Sequence, residues 1–222
     1  MTLRSTFTAE LHQLQSEILA MGSMVDKAIG RSVDALKRLD HAEARRIIQD
    51  DQEINARRFA IEQQAIQLIA TQQPIATDLR CIVAALNIIV DLERMGDHAE
   101  GIAKIVLMHN DVPLLKPLVD VPLMAEKTQE MLRRTMDAYM NLDVEAARAI
   151  ALEDDVVDRL YEQVYRELIH LMVENPSCLD RATWLMWVSH NLERCADRVT
   201  NICERIVFQV TGRMEEINTS NY

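Results

Sequence analysis

Apolar residues recur along this chain at the three-and-four spacing of amphipathic helices, in six runs. The runs cover about 6–38, 42–70, 78–108, 123–141, 144–173 and 179–211. Prolines punctuate them. Pro74 and Pro176 stand in short polar breaks, and Pro113, Pro117 and Pro122 cluster in 111–122, the one plausible linker. Ser177 with Asp180 reads as a capping pair opening the last helix. Helices of about 30 residues are about 45 Å long and need partners along that length, which predicts an all-α bundle.

The two halves of the pattern match. Asp51 corresponds to Asp154, Pro74 to Pro176 and Glu93 to Glu193, at offsets of 103, 102 and 100 residues. Such a period is too long for a solenoid repeat. The prediction is two tandem, pseudo-equivalent three-helix bundles, 1–112 and 113–222.

Within this repeat lies a doubled acidic motif. Asp91-Leu92-Glu93-Arg94-Met95-Gly96-Asp97 returns as Asn191-Leu192-Glu193-Arg194-Cys195-Ala196-Asp197. Glu and Asp four apart share one helix face, where two carboxylates repel by a few tenths of a kcal/mol. Stepped at about 100° per residue, both pairs fall to the side of the apolar stripe (Leu92, Met95, Ala99; Leu192, Cys195, Val199). That puts the carboxylates at the flank or surface, outside the core. The second helix of each half carries its own pair, Asp51 with Asn55 and Asp154 with Asp158. If second and third helices lie side by side, three carboxylates and an amide meet in the first half, and four carboxylates in the second. Oxygen-only clusters suit hard cations such as Mg, Mn, Ca or iron. The alternative is a solvated acidic face.

Composition narrows the function. Hydrophobic residues make up 49% and aromatics 4%, with 5 Gly and 5 Pro, a mix that favours helix over sheet. The net charge of -11 argues against nucleic acid and against an anionic membrane as generic partners. Arg45-Arg46, Arg57-Arg58 and Arg133-Arg134 are isolated pairs, expected on solvated faces. No targeting segment or spanning helix is visible. Cys81, Cys178, Cys195 and Cys203 lack disulfide spacing and read as reduced thiols of a cytoplasmic protein. Glu167-Leu-Ile-His170 is a lone copy of a motif that di-iron bundles need twice. His98 follows the first acidic motif, but Arg198 holds the equivalent place, so His98 is expected not to be a ligand. No phosphate-cradling loop or nucleophile motif occurs.

The doubled Leu-Glu-Arg-x-x-Asp, the upstream acidic pairs and the six-helix pattern together resemble the PhoU family, over essentially the whole chain. The resemblance implies metal ions held at the bundle surface by Glu/Asp-x-x-x-Asp motifs. Carried over, the first site would use Glu93, Asp97, Asp51 and Asn55. The second would use Glu193, Asp197, Asp154 and Asp158. The family commonly has Asn or Asp four residues beyond the motif Asp; Asn201 fits and Gly101 does not. The first site is therefore expected to bind metal more weakly. The resemblance also implies a cytoplasmic, non-enzymatic negative regulator of the phosphate-starvation response, meeting the ATPase subunit of the phosphate ABC transporter and a membrane sensor histidine kinase, and forming a homodimer. A carboxylate-bridged metalloenzyme, such as a phosphohydrolase or oxidase, and a purely structural helical protein are the alternatives.

Overall fold

The chain was analysed as a computed structural model that describes residues 3–110 and 112–217, the first three by backbone alone. Asp111, where the predicted linker opens, and the extreme ends of the two predicted halves lie outside the described residues. The described residues form helices α1 (Leu3–Arg38), α2 (His41–Gln72), α3 (Thr77–Met108), α4 (Asp120–Asn141), α5 (Val144–Ala151), α6 (Asp154–Glu174) and α7 (Leu179–Thr211). A 3-10 turn, Pro176–Cys178, precedes α7. No strand occurs among them.

Local chemistry accounts for the boundaries. Asp40 caps α2 by accepting from the Glu43 amide at 2.9 Å, and Asp143 caps α5 through the Ala146 amide at 2.9 Å. Gly212 closes α7 at φ 75, a conformation glycine adopts without a side-chain clash. Pro122 falls inside the first turn of α4 rather than before it, where its missing N–H costs nothing. The predicted Ser177–Asp180 capping pair does not form. Asn175 is the cap instead, accepting from the Ser177 amide at 3.2 Å and hydroxyl at 2.7 Å.

The predicted fifth helix is one run broken at Leu152–Glu153. Both sides of the break carry core residues: Ala147, Ile150 and Ala151 before it, Val157, Val164 and Leu168 after it. Glu153 is held there by Arg134 at 2.7 Å and Lys127 at 2.6 Å, both from α4. Periodicity survives such a break, because the residues at the bend keep right-handed helical dihedrals.

α1, α2 and α3 form one bundle; α4, α5, α6 and α7 form the other. They share one continuous hydrophobic core. The halves meet along two lines, α1 beside α4 and, more extensively, α3 against α7. The polar pairs between α3 and α7 run in opposite directions, so the helices are antiparallel. Arg80 Nε donates to the Gln209 carbonyl, Cys195 Sγ lies 3.8 Å from the Met95 carbonyl, and Arg198 reaches Asp91 at 3.4 Å. Met95 and Cys195 occupy the same place in the two halves, so a pseudo-twofold axis passes between them. The contacts obey it. Asp91 on α3 accepts from Arg198 and Asn201 on α7, while Asn191 on α7 contacts His98 and faces Gly101 on α3.

Asp91 is 8% exposed, and burial raises its carboxyl against the lowering pull of Asn201 and Arg198. Asp91→Ala is expected to cost about 1–3 kcal/mol in urea unfolding, because it strands a guanidinium between helices. The paired change Asp91→Leu/Arg198→Met is expected to cost less than the single one. Equal costs would show that the pair does not couple the halves.

Candidate metal centre

In the first half, α2 packs over the flank of α3 at Gly96. A Cβ on Gly96 would stand 3.1 Å from Asp51 Oδ1 and 3.2 Å from Ile54 Cδ1, so the bare backbone is what lets α2 come this close. Asp51 is 8% exposed and accepts from Asn55 Nδ2 at 2.8 Å. Its Oδ1 has no hydrogen-bond partner among the described residues. Burial, then the charges of Glu100, Asp97 and Glu93, push the Asp51 carboxyl up to about 6; Asn55 opposes them. Glu93 is also buried, and Arg58 Nη1 donates to its Oε1 at 3.2 Å. Asp97 is partly exposed and pairs with Arg94 at 3.1 Å.

The second half repeats the arrangement with Asp158 in the place of Asn55. Asp154, the first residue of α6, is 3% exposed, and Asp158 follows one turn on. Glu193 is 4% exposed, and Asp197 is partly buried and pairs with Arg194. Asp154 Oδ1 and Asp158 Oδ1 have no hydrogen-bond partner among the described residues. Burial, then Asp158, Asp197 and Glu193, push the Asp154 carboxyl up to about 8. Burial also raises Asp158, with Asp197 adding to it, and raises Asp197 against Arg194 and Arg198. His190 Nδ1 lies 3.4 Å from Glu193 Oε2, but burial lowers its pKa and weakens it as a countercharge.

Mutual electrostatic influence thus places Asp51, Glu93, Asp97 and Glu100 in one neighbourhood, and Asp154, Asp158, Glu193 and Asp197 in another. Among the described residues, no three His, Cys, Asp or Glu side chains form a ready-made cage. The fit is one of chemistry: buried, partnerless carboxylate oxygens under repulsion, all of them hard donors.

The sequence profile of the PhoU domain matches this chain twice, at 18–106 and 121–206. The chain belongs to the PhoU family. A relative from Clostridium acetobutylicum, named a phosphate-specific transport system accessory protein PhoU homolog, is 38% identical over 216 residues, 97% of this chain and 99% of that one. A Pseudomonas aeruginosa relative of the same name is 32% identical over 93% of this chain and 86% of that one. The crystal structure of PhoU from Pseudomonas aeruginosa superposes with a TM-score of 0.89 at 32% identity, covering 93% of this chain and all of that one. That of the phosphate transport system regulatory protein PhoU from Streptococcus pneumoniae gives 0.88 at 33% identity, covering 94% and 99%.

Several expectations need correction against this PhoU fold. Glu93 and Glu193 are buried, not flank or surface groups, whereas Asp97 and Asp197 stay partly exposed as expected. An angle measured from a helix's own stripe does not register a second neighbour, and α2 and α6 cover that flank. Asn201 Nδ2 donates to Asp91 on α3 at 3.2 Å. His98 bonds Asn191 Oδ1 at 2.9 Å. The arginine pairs are tied down more than expected: Arg57 to Glu17, Arg58 to Glu93, Arg133 to Asp26 and Arg134 to Glu153. Glu167 pairs with Lys116 and His170 with Glu174, so they form no joint site. Sequence reasoning missed Glu100, seven residues beyond Glu93 on the same helix face, and Arg58 and Tyr161, seven residues beyond Asp51 and Asp154. Extending the i, i+4 search to i+7 would have found all three.

Folding raises Asp154 from 3.8 to about 8, so the folded state favours its protonated form. The associated stability is complete below pH 3.8 and is lost as pH rises toward about 8. Metal-free protein is expected to lose up to about 1.4 kcal/mol per pH unit in that window from this group. Asp154→Asn is expected to flatten the profile of Tm against pH read by circular dichroism. An unchanged slope in that variant would place the strain elsewhere.

Proposed function

We propose that this chain is an accessory regulator of the phosphate-specific transport system. In this reading it holds the phosphate-starvation response off when phosphate is plentiful, by relaying the state of the transporter's ATPase subunit to a membrane sensor histidine kinase. The names of its relatives and near full-length likeness to a phosphate transport regulatory protein support the phosphate role. The negative sign and the two partners come from what the family resemblance implies. None of the described helices is long and apolar enough to cross a membrane. In this reading the membrane partners are met by surface contact, on the cytoplasmic side that the family resemblance implies. An acidic chain at net charge -11 suits docking to basic surfaces.

The reading extends to metal at the two acidic clusters, with Asp51, Asn55, Glu93 and Asp97 in one and Asp154, Asp158, Glu193 and Asp197 in the other. The observation that carries it is Asp154, 3% exposed with an Oδ1 that finds no hydrogen-bond partner among the described residues. A bound Mg, Mn, Ca or iron ion would neutralise the carboxylates and tie α6 to α7. Its role is then structural or at a partner contact, with no bond-making step assigned.

Deleting the gene in its host and assaying alkaline phosphatase in phosphate-rich medium tests the regulatory claim. High phosphatase in the deletion, brought low again by wild type, is the expected result. Complementation with Glu193→Ala/Asp197→Ala is expected to fail at least in part. Low phosphatase in the deletion would remove the negative role in that host. In calorimetric titration with Mn, Glu193→Ala is expected to lose more binding than Glu93→Ala; the reverse order would mean the first half is the tighter site.

A further inference from the structure

The two acidic clusters differ at three positions that set their charge balance: Asn55 against Asp158, Glu100 against Thr200, and Arg58 against Tyr161. Asp51 and Asp154 stand 103 residues apart, as do Asn55 and Asp158, and the same offset carries Arg58 onto Tyr161. Positions 51, 55 and 58 lie on one face of α2, and 154, 158 and 161 on one face of α6. Arg58 uses that placement to reach across to α3, with Nη1 3.2 Å from Glu93 Oε1. Its guanidinium carbon sits 5.3 Å from the centre of the Phe59 ring, which backs it from the other side. Its Nε is buried and finds no other acceptor among the described residues. In the second half the same place holds a neutral phenol. The Tyr161 ring lies 6.2 Å from that of His190, and Glu193 is close enough for its charge to raise the hydroxyl's pKa behind the larger effect of burial.

We propose that Arg58 is a built-in cation that takes the place of metal in the first half, so that this chain loads metal in its second half alone. The proposal rests on the metal reading given above and deepens it. A guanidinium stays charged at every physiological pH and donates a fork of N–H groups suited to carboxylates. Held on a tether between two packed helices, it has no translational entropy to lose on binding Glu93, whereas a free cation does. A metal entering the first half must also leave Arg58, half-buried with its Nε shut off from water, without its partner, and a partly desolvated charge that loses its partner is costly. Asn55, in the place of Asp158, removes a further charge from the same cluster. Arg94 and Arg194 both pair with the motif aspartate, and Arg94 also lies 3.6 Å from Glu93 Oε2, more exposed and farther from that carboxylate than Arg58.

The test measures Mn retained by the full chain after gel filtration, by elemental analysis, with dissociation constants from calorimetry. Asp154→Asn/Asp158→Asn disables the second half, and this variant is expected to retain no Mn. Adding Arg58→Glu to it is expected to restore uptake, with Arg58→Gln restoring it more weakly. In the otherwise wild-type chain, Tyr161→Arg is expected to weaken Mn binding at least about tenfold, the scale of one lost charge-assisted contact, while Tyr161→Phe leaves it unchanged. Circular dichroism reports whether each variant folds, and the Tyr161 substitutions decide the matter if the Arg58 variants do not. Failure of Arg58→Glu to restore uptake in folded protein, or full affinity in Tyr161→Arg, overturns the proposal and leaves the metal reading standing. Uptake that survives Asp154→Asn/Asp158→Asn overturns it too, since the first half would then be open. No uptake by wild type overturns both.

Discussion

The antiparallel packing of α3 on α7 governs the rest of the structure. Both helices are buried along most of their length, and they meet where Met95 and Cys195, the same position in the two halves, come together. The polar contacts of Asp91 are met by those of its exchange partner, Asn191. Asp91 faces Arg198 and Asn201 on one side; Asn191 faces His98 and Gly101 on the other. With one side of each helix spent on the other half, α2 and α6 must close the opposite flank. That flank is where the Glu-x-x-x-Asp motifs lie. Doubling the bundle thus forces the acidic groups under a neighbouring helix, although each falls beside its own helix's apolar stripe.

Burying several carboxylates together needs a source of positive charge, whether a side chain, a proton or a cation. The first half uses a side chain: Arg58 pairs with Glu93, Asn55 is neutral, and the Asp51 carboxyl rises only to about 6. In the second half Tyr161 stands where Arg58 does, Arg159 acts on Asp158 only as the smallest of its named influences, and the Asp154 carboxyl rises to about 8, which favours its protonated form when nothing else is bound. A cation entering there displaces that proton, which makes binding pH-dependent. The halves differ by Arg58 for Tyr161 and Asn55 for Asp158 on the second helix, and by Glu100 for Thr200 and His98 for Arg198 on the third.

Much of this could be read in the chain. Six helical runs, their boundaries to within a few residues and the two-bundle architecture followed from periodicity, prolines and the repeat, because long helices advertise themselves. The family followed from the doubled motif. What stayed hidden depended on a third helix or on the other half. The break at Leu152–Glu153 leaves periodicity intact, and its cause lies in Arg134 and Lys127 on α4. The burial of Glu93 and Glu193 depends on what packs over them. Asn201 matched a family pattern by position, yet its face of α7 belongs to the pseudo-twofold contact with Asp91. Arg58 looked like half of an ordinary surface pair until α3 was placed beside it.

The broken helix and the charge asymmetry belong together. α2 runs unbroken through Asp51, so its backbone hydrogen bonds hold that carboxylate in place from both sides. In the second half the helix stops at Ala151 and restarts at Asp154, which leaves the most strained carboxylate on the first residue of α6. A helix end has fewer backbone bonds to restrain it and frays more readily than a helix interior. The half with a continuous helix carries a fixed internal cation, and the half with a helix end carries the unneutralised charge. Whatever positive charge arrives there acts on a segment that the backbone alone holds loosely, so occupancy of the second cluster has more structure to stabilise than occupancy of the first.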